Sequence, residues 1–171
     1  LASKGRAEKI LADGQIPCCT LRVPMVVGEG DYASAMLQKR AHNPRNFAFR
    51  ASSLEQPIYA GDVVSAICAA ASQKLEGGFD LAGPESLTRA ALYERAATVV
   101  GRETKVISLP VGLGLALAFV LEKTVTEPPI TRAMLEVLDH DDDVDTTAIA
   151  ERLEITPLTT VDEMLRLILP G

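Results

Sequence analysis

The sequence has no tryptophan, three tyrosines and four phenylalanines in 171 residues, so aromatic rings cannot dominate its core. Hydrophobic residues still make up 47% of the chain, mainly Ala, Leu, Val and Ile. That is enough for one domain with a real core, and it suits alanine-rich helices packed on a β-branched sheet. Positive charge is also scarce. A net charge of −6 argues against a nucleic-acid surface. No stretch is basic enough to hold an anionic membrane. The longest apolar run, Val111 to Leu121, is too short to span a bilayer. The first residues carry no signal-peptide pattern, and a cytoplasmic location is expected.

Metal and nucleophile patterns are missing as well. His42 and His140 lie far apart in sequence and neither has ligand spacing. Cys18, Cys19 and Cys68 form no metal spacing, and three cysteines cannot all pair within the chain, so reduced and packed thiols are expected. No G-x-S-x-G elbow occurs. The acidic run Asp139 to Asp145 invites a calcium loop, but that loop needs glycine at its sixth place and glutamate at its twelfth. Counted from Asp139, those places hold Val144 and Ala150, so the run reads as a solvated turn before a helix cap. Gly112-x-Gly114 lacks the third glycine of a dinucleotide fingerprint and reads as a point of close helix packing.

The chain is organised around Thr20 to Asp31. Cys18 to Val23 is apolar, rich in β-formers and without helical period, which predicts a buried strand. Pro24 removes a donor and ends the ladder. Gly28 and Gly30 allow a sharp turn, and Asp31 can cap a helix over Tyr32–Ala41. In open α/β sheets ligands sit beyond the carboxyl ends of strands, so Pro24–Gly30 is the first candidate for the wall of a site.

Before this stretch, Ser3 to Asp13 reads as an amphipathic helix with Ala7, Ile10 and Leu11 on its apolar side. After it, Asn46 to Arg50 alternates like a half-exposed strand, and Gln56 to Ala60 is extended. Asp62 can cap a helix over Val63–Gln73 that is apolar nearly all round and should be buried. Gly77-Gly78 turns into a strand at Phe79–Ala82. Helix Ser86–Val100, strand Lys105–Leu109 and helix Val111–Lys123 follow, with further helices over Ile130–Leu138, Thr146–Leu153 and Val161–Leu169. The class is α/β. The chain opens at Leu1 inside a helical pattern, and a piece of a longer protein is expected.

Several motifs resemble the C-terminal half of an extended or atypical short-chain dehydrogenase/reductase of the NAD-dependent epimerase/dehydratase superfamily. Ser3-Lys4-x-x-Ala7-Glu8 resembles the helix carrying the Y-x-x-x-K pair. Leu21 to Asp31 resembles R-P-x-x-x-x-G-P-G-D, with the proline displaced by one. Pro57-Ile58-Tyr59-Ala60-Gly61-Asp62-Val63 resembles P-[IV]-[HY]-V-x-D-V. Phe79 to Glu85 resembles Y-x-L-x-G-P-E, and Leu153 to Pro157 resembles L-G-[IV]-x-P. Pro128 to Arg132 and the short tail are similar to the NDUFA9-like branch, relatives of a complex I accessory subunit.

The resemblance implies the C-terminal part of a Rossmann-like doubly wound parallel sheet with a substrate-loop insertion over residues 1–83. A mostly helical substrate subdomain is implied over 84–171. It implies NAD or NADP in the complete protein, a small-molecule substrate such as a nucleotide sugar, and a preceding N-terminal segment bearing the glycine-rich turn. Homo-oligomerisation is left open. Lys4 would hold the nicotinamide ribose and favour the phenolate of a tyrosine four residues earlier, outside this sequence. Pro24, Met25 and Val26 would lie along the nicotinamide. Gly28, Asp31, Tyr32 and Tyr59 would face the substrate. The other reading is a non-catalytic dinucleotide-binding or interaction module.

Overall fold

A computed structural model describes residues 2–124 and 141–169. The order is α1 (Ala2–Ala12), β1 (Cys19–Arg22), β2 (Met25–Val27), α2 (Tyr32–Ala41), β3 (Arg45–Phe49), β4 (Leu54–Glu55), β5 (Pro57–Tyr59) and α3 (Ala60–Ser72). Then come β6 (Gly77–Asp80), β7 (Leu87–Thr88), α4 (Arg89–Val99), β8 (Lys105–Leu109), α5 (Val111–Thr124), α6 (Thr147–Arg152) and α7 (Val161–Ile168). The helix expected over Ile130–Leu138, the Pro128 to Arg132 motif and the first residues of the acidic run lie outside the described residues.

The strands pair as β1 with β6, β2 with β5 and β3 with β8, all parallel, and β4 with β7 antiparallel. The α/β class expected from the sequence is therefore present, with parallel pairing and helices between strands. Alternation along β2 and β5 divides the core. Val27 and Tyr59 are register partners and face one cluster, built from Leu37, Leu92, Met164 and Leu165 of α2, α4 and α7. Ile58 points the other way, against Ala66 and Ala70 of α3 and Ile149 of α6. Leu92 and Leu165 are fully buried, and each such side chain contributes about 1.5–3 kcal/mol. Arg89, at the start of α4, is buried and charged. Its guanidinium donates to Glu55 at 2.5 Å and to the Phe49 carbonyl at 2.5 Å, tying β3 and β4 to the helix.

Several sequence expectations need correction. The strand expected over Cys18–Val23 is only half-buried, and a second strand, β2, follows Pro24 where a loop was expected. The proline breaks one extended stretch into two ladders with different partners. Ile10 and Leu11 of α1 are exposed at 71% and 53%, so the apolar side of that helix is uncovered. The α3 helix buries only one face, and Val64 and Ile67 on another are 59% and 55% exposed. It starts at Ala60, not after Asp62, and the Asp62 carboxylate accepts instead from the Thr159 N–H (2.9 Å) and hydroxyl (3.0 Å). Gly77 and Gly78 belong to β6 itself. Ser86 starts no helix, since Leu87-Thr88 pairs with β4 and Thr88 caps α4 instead. Among the described residues a Cβ on Gly112 would meet nothing within 4 Å, whereas Gly114 is buried. Cys68 is exposed, not packed.

Candidate functional site

Because β2 and β5 are parallel, their carboxyl ends coincide. Val27 and Tyr59 are the last residues of each strand and lie in register. The chain leaves β2 into the Gly28 turn and α2, and leaves β5 directly into α3, so two helix N-termini open at one end of the ladder. The turn is held by its own side chains. Asp31 is extended, at φ −82° and ψ 169°, and its carboxylate accepts from the Ser34 N–H and the Gly28 N–H, each at 2.6 Å. The Ser34 hydroxyl donates to the Gly28 carbonyl. Gly30 has φ +80°, a conformation glycine adopts without a Cβ penalty. Gly28 is buried, and a Cβ there would stand 2.7 Å from the Ala60 Cβ, so the turn and the start of α3 approach too closely for a larger residue.

The Tyr59 hydroxyl donates to the Glu29 carboxylate at 2.9 Å, spanning the mouth between β5 and the turn. That hydrogen bond, aided by desolvation, holds the phenol above its ordinary pKa. For Asp31, burial pushes the carboxyl up. The hydrogen bonds from Ser34 and Gly28 outweigh it and hold the group below its ordinary value. The mouth thus gathers a phenol from β5 and two carboxylates from one turn, with the Tyr59 proton donated to Glu29 and the Asp31 carboxylate accepting from two backbone N–H groups.

Of the residues singled out from the sequence, the fold brings Gly28, Asp31 and Tyr59 together at this mouth. Met25 and Val26 lie in β2 just behind it, with Val26 paired to Ile58 and 36% exposed. Pro24 is exposed between β1 and β2. Tyr32 starts α2 but is 81% exposed. Lys4 is exposed on α1, and no hydrogen bond or ion pair joins it to the turn among the described residues. Glu29 and Ser34 were not singled out. Ser34 had a signal, since a hydroxyl residue three positions after a capping aspartate suits the first turn. Glu29 had none, because its partner Tyr59 arrives only through the β2–β5 register.

The cavities described elsewhere take none of these residues. About 630 Å³ lies between β1 and α3, about 450 Å³ between β6 and α6, and about 300 Å³ between α1, β1 and β6. Burial raises the pKa of the Cys19 thiol on the first of these. Among the described residues no group of His, Cys, Asp and Glu could hold a metal ion, and no helix is long and apolar enough to cross a membrane.

No family model and no curated protein matches the sequence. Solved structures do match the fold. The human epimerase family protein SDR39U1, solved with NADPH, aligns over 98% of this chain and 53% of its own, with TM-score 0.73 and 17% identity. The RMD protein from Pseudomonas aeruginosa, complexed with NADPH, aligns over 98% and 54%, with TM-score 0.70 and 14% identity. The UDP-glucose 4-epimerase from Thermotoga maritima, solved with UDP-glucose, aligns over 98% and 49%, with TM-score 0.64 and 17% identity. The chain spans about half the length of these structures, and at such identities the likeness is one of fold: this chain has the architecture of about half of each structure it resembles.

Proposed function

We propose that these residues form the C-terminal part of an NAD(P)-dependent oxidoreductase or epimerase-like protein acting on a carbonyl or hydroxyl of a small molecule, a nucleotide sugar among the candidates. The observation that carries the reading is the mouth at the carboxyl ends of β2 and β5, on a fold whose solved neighbours include NADPH complexes. Carboxyl ends of parallel strands are where ligands bind in open α/β sheets. In this reading Pro24, Met25 and Val26 lie along the nicotinamide. Gly28, Asp31, Tyr32 and Tyr59 face the substrate, with Tyr59 donating and Glu29 accepting hydrogen bonds. Lys4 holds the ribose. The cofactor supplies hydride transfer when bound, and these residues bind and orient what surrounds it.

The experiment is Lys4→Ala in the full-length protein, with dinucleotide affinity, turnover and thermal unfolding measured together. Affinity or turnover should fall about 10-fold or more, an effect of about 1.4 kcal/mol or greater, with the unfolding midpoint unchanged. Unchanged affinity and rate would reduce Lys4 to a surface charge. A second reading, a non-catalytic dinucleotide-binding or interaction module of the NDUFA9-like kind, is favoured by the isolation of Lys4 on an exposed helix. Dinucleotide binding without turnover of any carbonyl or sugar substrate would select it.

A further inference from the structure

Gly61 sits in the first turn of α3, two residues after Tyr59. Its backbone is not left-handed, since the described glycines with positive φ are Gly30, Gly77 and Gly101. Inside a helix glycine is less stable than alanine, so propensity does not ask for it either. Space does. A Cβ on Gly61 would stand 2.5 Å from Cε1 and 3.0 Å from Cδ1 of the Tyr59 ring. The ring cannot retreat inward, because Tyr59 packs there against the cluster of Leu37, Leu92 and Leu165, and interiors are close-packed. The helix is held as well. Ala60, on one side of Gly61, faces Gly28 at the close approach described above. Asp62, on the other, accepts from the Thr159 N–H at 2.9 Å and the Thr159 hydroxyl at 3.0 Å. At the far end of the ring, the Tyr59 hydroxyl lies 2.9 Å and 3.2 Å from the two Glu29 carboxylate oxygens.

We propose that Gly61 is a positioning residue of the mouth: its missing side chain is the seat of the Tyr59 ring and keeps the Tyr59 hydroxyl on Glu29. The bridge from β5 to the turn after β2 is then set from α3, and not by Tyr59 and Glu29 alone. A methyl group at position 61 must be accommodated by about 0.9 Å of movement at Cε1, from 2.5 Å to the 3.4 Å where ordinary contact begins. The packed cluster and the two contacts of the helix leave that movement to the ring. Carried to the hydroxyl, it exceeds what a hydrogen bond of 2.9 Å tolerates, so the phenol leaves the carboxylate. The bearing on activity rests on reading the mouth as the substrate-facing end of the ladder. Gly61 then decides whether an entering molecule meets a bridged Tyr59–Glu29 pair or a separate phenol and carboxylate.

The test is Gly61→Ala in the full-length protein, read first through the Cζ carbon resonance of Tyr59 in an alkaline titration. The hydrogen bond to Glu29, desolvation and the charges of Glu29 and Asp62 hold the phenol above its ordinary value. Release from Glu29 should therefore lower the Tyr59 midpoint, and Glu29→Gln should lower it too. In the Glu29→Gln background Gly61→Ala should add little. The second readout is urea denaturation in two backgrounds. With Tyr59→Ala the ring is gone, and Gly61→Ala should favour folding through helix propensity. With Tyr59 in place, the same substitution should be at least about 5-fold less favourable to the folding equilibrium. An unchanged Tyr59 midpoint, a fall of equal size in the Glu29→Gln background, or an equal stability effect in both backgrounds would overturn the proposal. A merely structural glycine would change stability and leave the Tyr59 midpoint in place. No ligand enters these readouts. A protein that meets them all but binds no NAD(P)H keeps the role of Gly61 and removes the functional reading.

Discussion

Gly28→Ala probes how tightly the turn at the mouth is pressed onto α3. The added methyl would stand 2.7 Å from the Ala60 Cβ, where ordinary contact begins near 3.4 Å. The turn or the first turn of α3 must therefore shift by several tenths of an ångström. Overpacking of this kind costs about 1–3 kcal/mol, partly offset by about 0.4–1 kcal/mol from the stiffer unfolded chain. The net expectation is a loss of about 1–2 kcal/mol. Ala60→Gly alone should cost up to about 1 kcal/mol through helix propensity. The double variant has no collision, so its cost should fall below the sum of the two single costs by about 1 kcal/mol or more. Urea denaturation of the full-length protein and its three variants gives the comparison. Strict additivity, or a neutral Gly28→Ala, would refute the close approach.

Glu154 sits at φ +56°, and Glu154→Gly should relieve about 1–2 kcal/mol of left-handed strain against about 0.5–1 kcal/mol of added chain entropy, for a net gain near 0.5 kcal/mol; a lower melting temperature would contradict this. Thr160 and Glu163 form a capping box at the start of α7, so Thr160→Ala should cost about 1 kcal/mol by chemical denaturation. Asp31 has a folded-state pKa below its ordinary value, so its contribution to stability is present above pH ~4 and is lost as pH falls through the lower folded value. Asp31→Asn should flatten the stability–pH profile below pH ~4, and an unchanged profile would show that the cap carries no such linkage. Arg89→Leu strands the Glu55 carboxylate and should cost about 3–5 kcal/mol, while Arg89→Leu with Glu55→Leu should recover much of it; equal losses would place the energy elsewhere.

What the sequence disclosed was local. Asp31 before Tyr32–Ala41 and Thr160 before Val161 are capping signals acting within one turn, and both are realised as hydrogen bonds. The strand read from alternation at Asn46 to Arg50 forms one residue earlier, as Arg45–Phe49, and Lys105–Leu109 forms as read between Gly101 and Pro110. What escaped was long-range. Pro24 could be seen to end a ladder, but nothing local shows that Met25–Val27 finds a new partner in β5, some thirty residues on. Asp62 looked like a cap because its side chain suits one, and Thr159 claims it only after α7 packs. Leu87-Thr88 carries a helical pattern overridden by pairing with β4. The apolar circumference of α3 led to an expectation of full burial, whereas Val64 and Ile67 are left exposed by the described residues. For the mouth, the local pattern placed Gly28 and Asp31 in one turn, whereas the contact between Glu29 and Tyr59 depends on the β2–β5 register.

The most direct measurement is an NAD(P)H titration of the full-length protein followed by amide chemical shifts. The account predicts saturable binding, with the largest shifts at Met25 and Val26, which are proposed to lie along the nicotinamide, at Lys4, and at Val27 at the carboxyl end of β2. Absence of binding, or binding whose shifts leave these residues untouched, would contradict it.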